Sequence, residues 1–390
     1  MVICIDVRCL MEGRMTGVEE YTLGFLEGLF SSDKKNKYIL FFNSWKEPKF
    51  DFGTFSRFEN VKLKRLKIPN KMINFLFWYF SWPKIDRLCG ADIVIMPNIS
   101  FGAVSKEAKL ILTVHDLSFE RHSEYFSYKR KWWHIFINVR RLSARATKII
   151  AVSHSTKKDL ITLYGMKPEK IEMIHSAVGR QFAVIDRNDI RLVKTKEKYR
   201  LPYRFILFLG TIEPRKNIIG LVRAYNALQK YAKEAGQENL LRHGLVIVGE
   251  TGWNAKEVFR EIQNSPFREK IKVINSLPGE DKPFFYNLAA LFVYPSFFEG
   301  FGFPPLEAMR CGVPVITSNN SSLPEVAGGA AVLIDPDKPD EIYRAMREIL
   351  SDDKLRKNLI SRGLEKAKEF EWGRAARKTL HVIKALRTKA

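Results

Sequence analysis

The chain is poor in cysteine and has no long apolar run, and each shortage excludes a class of protein. Cys4, Cys9, Cys89 and Cys311 are scattered through 390 residues, without a C-x-x-C pair or a following histidine pair. That argues against a disulfide framework and against a zinc site, and makes a reducing cytosol the expected compartment. The longest aromatic and apolar stretch, Met72–Trp82, contains Asn74 and is much shorter than the roughly 20 residues needed to span a bilayer. No transmembrane helix is expected. Met1–Asp6 runs straight into a strand-like pattern, without the basic-then-apolar order of a secretory leader. A G-x-x-x-x-G-K-[ST] phosphate loop, a G-x-S-x-G elbow and an H-E-x-x-H motif are also missing. Asp6–Gly17 lacks G-x-G-x-x-G spacing, so hydride chemistry is unsupported. Asp335-Pro336-Asp337 imitates a metal-binding D-x-D, but it stands in a proline-containing turn before a helix and is read as turn chemistry.

What is present is a folded, strongly basic chain. Hydrophobic content of 46% leaves enough apolar side chains for a core, and the length fits two domains of about 150–200 residues. The formal net charge is +22. Residues 1–185 carry 30 Lys and Arg against 18 Asp and Glu, and the remainder carries 35 against 25. The excess is therefore no basic tail. Anionic membrane, phosphorylated substrate and nucleic acid all remain as partners on charge alone. A basic nucleic-acid-binding protein is the competing reading from another class; its charge fits, but no recognition motif accompanies it, so no nucleic-acid partner is expected.

A short apolar run marks a strand at Val2–Ile5, and further short strand candidates are Tyr38–Phe42, Val61–Leu66, Ile93–Met96, Leu110–Val114 and Lys148–Val152. A helical pattern follows the first, with Val18, Tyr21, Phe25, Leu26, Leu29 and Phe30 on one face, and Thr16 and Glu19 have the spacing of a capping box. From Gln181 to Arg200 the pattern dissolves into charge and reads as a linker. It then resumes: strands at Arg204–Leu209, Leu245–Val248, Ile271–Val273, Leu291–Tyr294 and Val313–Ile316, a helix over Ile218–Tyr231, and helices from Asp340 to Leu386. Strands alternating with helices predict an α/β fold of two halves with mainly parallel sheets. Ligands of such sheets bind beyond the carboxyl ends of the strands.

Three strand-to-helix turns carry candidate chemistry. In Tyr294-Pro-Ser-Phe-Phe-Glu-Gly-Phe-Gly-Phe-Pro-Pro-Leu-Glu-Ala-Met309 the chain turns through Gly300 and Gly302 and is expected to start a helix at Pro304 or Pro305. Amides around Gly302–Leu306, Phe303 among them, would then suit phosphate or sugar hydroxyls, and Glu307 in the first turn would suit a diol; alternatively Glu299 and Glu307 only complement the helix dipole. In Leu209-Gly-Thr-Ile-Glu-Pro-Arg-Lys-Asn217, Arg215 and Lys216 oppose the dipole of the following helix, a conflict that a bound diphosphate would remove. An exposed Arg-Lys pair of no function has the same sequence. The third turn ends a strand in His115-Asp116, placed to touch substrate or else satisfied by local backbone. Ser153, before a further helix, reads as a cap.

With these segments in the order seen, nearly the whole chain resembles glycosyltransferase family 4, retaining enzymes of the GT-B fold. The resemblance rests on Glu299-x7-Glu307 with Cys-Gly-Val-Pro-Val315 downstream, and on Met15-Thr-Gly-Val-Glu19, Val114-His-Asp116, Ala151-Val-Ser-His-Ser155, Gly210–Asn217 and Ser322-Leu-Pro-Glu325. It implies two Rossmann-like domains facing a central cleft: 1–185 on the acceptor side, 186–372 binding the nucleotide-sugar, and a helix over 373–390 able to cross back to the first. It further implies that Gly17 lets a loop approach the donor diphosphate, Lys216 binds phosphate, Glu307 holds the ribose hydroxyls, Glu299 with the amides of Gly302 and Phe303 holds the transferred sugar, and His115 contacts that sugar. Many members carry Arg where this chain has Thr211, and Arg215 is the candidate to supply that charge. The implied reaction is metal-independent hexosyl transfer without a cofactor, by front-face attack, since no carboxylate for a double displacement is identifiable. The pattern is most similar to bacterial mannosyl- or rhamnosyl-type transferases of polysaccharide assembly. GDP-mannose is the expected donor, with UDP- or dTDP-sugars as alternatives, and the nucleobase is expected near Ser276 and Leu277.

Acceptors in such pathways are often lipid-linked, and two segments fit a membrane. Lys71–Lys84 combines aromatics with flanking lysines, and Tyr125–Arg145 adds Trp132, Trp133 and many cations. Either they rest on anionic lipid, peripheral at the inner face of the cytoplasmic membrane, or the aromatics are core and the cations merely solvated.

Overall fold

Strands too short to stand alone become stable here by lying side by side in two parallel sheets, whose central strands are buried on both faces. The computed structural model describes residues 1–13, 16–126 and 128–387. Arg14, Met15 of the Met15–Glu19 motif, Ser127 of the Tyr125–Arg145 stretch, and residues 388–390 lie outside the described residues.

Unit 1 comprises Met1–Ala177 and the chain from Phe370 onward. Its seven strands are β1 (Val2–Asp6), β2 (Lys37–Asn43), β3 (Val61–Leu66), β4 (Ile93–Met96), β5 (Lys109–Val114), β6 (Lys148–Ala151) and β7 (Ile171–Met173), in the order β3-β2-β1-β4-β5-β6-β7. All pairings are parallel; central Ile3 registers with Tyr38 on one side and Ile93 on the other. The order reverses between β1 and β4. Such a reversal opens a crevice at the carboxyl edge, because the connections leave to opposite faces. The helix Gly17–Ser32 starts at the expected capping box, with Glu19 accepting from the Thr16 N–H at 3.0 Å, and buries Tyr21, Phe25, Leu26, Leu29 and Phe30. Val18 is only half-buried. The last helix, Trp372–Arg387, packs against it. Gly24 permits the contact, since a Cβ there would come within 2.1 Å of the Trp372 ring.

Unit 2 is Val178–Glu369. It contains β8 (Arg204–Leu209), β9 (His243–Val248), β10 (Ile271–Ile274), β11 (Leu291–Tyr294), β12 (Val315–Ser318) and β13 (Val332–Ile334), in the order β10-β9-β8-β11-β12-β13, again all parallel. Its reversal lies between β8 and β11. The helix Ile218–Glu234 buries the expected Leu221, Val222, Tyr225 and Leu228.

Several expectations shift. The unit boundary falls at 177/178 instead of 185/186, because the Phe182 ring packs on Tyr286 and the Ile185 amide donates to Asn287 Oδ1 at 2.8 Å. The return to unit 1 comes at Phe370 instead of 373, with the Phe370 ring against His175. The charged stretch read as a linker contains a helix, Ile190–Lys198, capped by Asp189 and buried only at Leu192 and Thr195. A helix that buries so little carries little apolar signal.

Candidate active site

The carboxyl ends of β8 and β11, neighbours at the reversal of unit 2, deliver the two turns that hold the charged residues. After β8 the chain runs through a short turn, Pro214–Lys216, to Asn217, whose φ of 53° and side-chain acceptance from the Gly220 amide at 3.2 Å start the next helix. After β11 it runs through Ser296 and Glu299 to Gly302. Lys216 and Glu299, 83 residues apart in the chain, form a buried ion pair.

The surroundings of that pair fix its charges. Glu299 Oε1 also accepts from Ser296 Oγ at 2.7 Å and Tyr294 OH at 3.1 Å. Lys216 Nζ donates to Tyr294 OH at 2.7 Å. Arg215 Nη1 stands 3.4 Å from Glu299 Oε2, while its Nη2 binds Glu213 at 2.8 Å. Burial disfavours the Glu299 carboxylate, but Lys216 and Arg215 together outweigh it and hold the group at about 2. Burial and then Arg215 push Lys216 below its ordinary value, against the pull of Glu299. The benefit of the pair is unequal because the carboxylate meets two cations and the ammonium meets one more. Two of the three ammonium donors are used in these bonds, which leaves one for a ligand.

Gly302 adopts φ 106°, and a Cβ there would come within 2.8 Å of Leu323 Cδ2. Ser322 Oγ ties the same loop by donating to the carbonyls of Glu299 and Phe301 at 2.9 and 2.8 Å. The helix begins at Phe303, not at Pro304 or Pro305. Both prolines fall inside its first turn and carry no N–H, so of the five expected amides only those of Gly302, Phe303 and Leu306 exist. Glu307 correspondingly lies in the second turn, not the first; it is buried, and Oε2 accepts from Tyr286 OH at 2.7 Å. The dipole-only reading of Glu299 and Glu307 is not needed, since one is locked to Lys216 and the other to a tyrosine.

In unit 1, His115 follows β5 and lies against Tyr21 at 4.7 Å, edge to face. Its Nε2 is 2.8 Å from the Pro97 carbonyl at the end of β4. A carbonyl only accepts, so Nε2 carries the hydrogen and Nδ1 keeps its lone pair. Burial lowers the imidazole below its usual value and favours the neutral ring. Gly17 is exposed at the first position of the helix that carries Tyr21. Thus His115 and the Gly17 helix are brought together in unit 1, and Arg215, Lys216, Glu299, Gly302 and Phe303 in unit 2. Ser276 and Leu277 follow β10, at the same sheet edge. Asp335 accepts from the Asp337 amide at 3.0 Å as a turn residue, and Ser153 caps its helix.

Tyr294, Ser296 and Glu213 had no role in the sequence reading. Their positions inside the two quoted turns were the signal available; the convergence of β8 and β11 that gives them one was not.

The chain matches the profile described as Glycosyltransferase Family 4 over residues 15–181, and that of Glycosyl transferases group 1 over residues 190–366. It is 34% identical over 284 residues to O-antigen chain mannosyltransferase B of Escherichia coli, covering 71% of both proteins. It is 33% identical to the serotype-specific mannosyltransferase WbdA of Escherichia coli over 72% of this chain, which spans about a third of that longer relative (34%). Sucrose-phosphate synthase from Thermosynechococcus elongatus aligns over the full length of both chains with a TM-score of 0.76 at 16% identity, a likeness of fold.

Proposed function

Because the chain belongs to glycosyltransferase family 4 and shares the GT-B fold, we propose that it moves mannose from GDP-mannose, with retention, onto a saccharide or lipid-linked saccharide in polysaccharide assembly. The names of the similar mannosyltransferases support the sugar. The observation that carries the reading is the buried Lys216–Glu299 pair at the sheet reversal.

In the proposed reaction the bond between the sugar C1 and the diphosphate oxygen breaks, and its electron pair stays on phosphate. The third donor of Lys216 and the amides of Gly302 and Phe303 receive that charge. One preorganised donor of this kind elsewhere contributes roughly 3–4 kcal/mol. The acceptor oxygen attacks C1 from the same face, and its proton passes to the leaving phosphate. Glu299 serves as a holder of sugar hydroxyls through Oε2; a carboxylate at about 2, already accepting three hydrogen bonds on Oε1, is a poor base. Glu307 takes the ribose diol, His115 the transferred sugar, Gly17 the approach to the diphosphate, and Arg215 supplies the second cation in place of the Arg that many members carry where this chain has Thr211. No cofactor or metal is required by this scheme.

Thermal-shift titration with GDP-mannose, a UDP-sugar and a dTDP-sugar, followed by NMR of the product's anomeric proton, tests it. Stabilisation by GDP-mannose with an α product from the α donor is expected. Preference for a uridine or thymidine donor would overturn the nucleotide, and an inverted product the mechanism.

We also place unit 1 on an anionic membrane surface, peripheral at the inner face of the cytoplasmic membrane. Among the described residues no helix is long and apolar enough to cross a membrane. Ile73 and Phe77 are core, but Phe75, Trp78, Tyr79, Phe80 and Trp82 are 47–66% exposed, as are Trp132 and Ile135 at 57 and 63%.

A further inference from the structure

We propose that unit 1 contains a discrete site for one chain and headgroup of an anionic membrane lipid. The site deepens the membrane-surface reading and rests on it. A cavity of about 570 Å³ separates the aromatic segment from the helix Tyr128–Ile137 and the helix after it, Val139–Arg145. That volume lies within the roughly 300–1,000 Å³ of small-molecule sites.

The lining has two kinds of wall. Phe77, Trp78, Met96, Phe101, Ile135 and Phe136 are apolar; Lys84, Lys106, Arg141 and Arg145 are cationic; among the described residues no carboxylate takes part. Lys106 and Arg141 are exposed and Lys84 half-buried, so their charges can meet water and a headgroup together. Arg145 Nη2 donates to the Val104 carbonyl at 3.2 Å and holds the opposite wall. An apolar chain fits the first wall, and a phosphate-bearing headgroup the second.

The flanking surface has the same character. Trp132, Ile135 and Phe136 form one exposed face of a helix, and Trp78 meets Phe136 edge to face at 5.5 Å. Aromatic rings beside cations are the composition of a lipid interface. A second copy of the chain is a poorer occupant, because a symmetric contact would set these four cations against themselves. A sugar is poorer still, for among the described residues Asn138 is the single amide side chain in the lining.

The test uses the full chain with two readouts: flotation with vesicles of phosphatidylcholine, alone or with phosphatidylglycerol, and native mass spectrometry with dioctanoyl phosphatidylglycerol. A one-to-one lipid complex is expected, weakened at least tenfold by Ile135→Asp and by Arg141→Glu. Both side chains are exposed, so the fold should survive, as a circular dichroism melt verifies. Lys62→Glu, outside the cavity, should leave the complex intact. Flotation without the one-to-one complex overturns the site and spares the surface reading. A complex without flotation does the reverse. Equal competition by inorganic phosphate overturns the chain-binding wall, and an Ile135-dependent dimer in sedimentation overturns the lipid in favour of a second copy.

Discussion

At the edge of β8 and β11, Lys216, Glu213 and Glu299 are buried, Arg215 is nearly so, and every charge meets an opposite one. At the edge of β4 and β5 the titratable group is the half-buried His115, kept neutral by desolvation and oriented by a carbonyl and a tyrosine ring. Both edges belong to parallel sheets of the same construction. In the proposed reaction the first would stabilise the charge that develops, and the second would serve shape and orientation. The fold supplies the position; the buried side chains decide the chemistry.

The comparison breaks first at Lys216. Lys216→Ala should lower kcat about 100-fold or more, by removing a donor to the leaving phosphate, and should destabilise unit 2 by about 1–3 kcal/mol, because Glu299 loses one charged partner and keeps only Arg215. Steady-state kinetics and a denaturant melt measure the two effects; an unchanged kcat removes Lys216 from the site. His115→Ala, the counterpart in unit 1, should leave the melt within about 2 kcal/mol of wild type while reducing kcat/KM.

Acid sharpens the contrast. Glu299 is held at about 2 against an ordinary 4.5, so its stabilisation is complete above pH 4.5 and lost as pH falls through 2. The stability difference between wild type and Glu299→Gln, up to about 3 kcal/mol from that displacement, should therefore shrink between pH 4.5 and 2. Unfolding titrations at pH 6, 4 and 3 measure it, and a constant difference contradicts the ion pair. His115 is also depressed, so its contribution is complete above pH 6.5 and is lost on acidification. The smallest effect is at Gly302. Gly302→Ala should cost about 1–3 kcal/mol, from the φ of 106° and the contact with Leu323; a melt within error of wild type would show that the turn relaxes.

Much of the architecture was legible because burial on both faces turns each central strand into an apolar run. Arg204–Leu209 and Leu291–Tyr294 match β8 and β11 residue for residue. β12 begins at Val315, two residues later than expected, after Pro314, which has no N–H to give. β7 and β13 escaped notice at three residues each, too short for any period to register. At the site, glycines, prolines and charges marked the turns. What no linear pattern contains is that Tyr294 and Ser296 share one oxygen of Glu299 with Lys216, from the far side of a sheet reversal.

The slot at Gly24 that admits Trp372 has a consequence for the order of synthesis. Every residue of unit 2, through Glu369, leaves the ribosome before the helix that completes unit 1. The nascent first unit must therefore wait, with Tyr21 and the glycine slot uncovered, while the second is already able to fold.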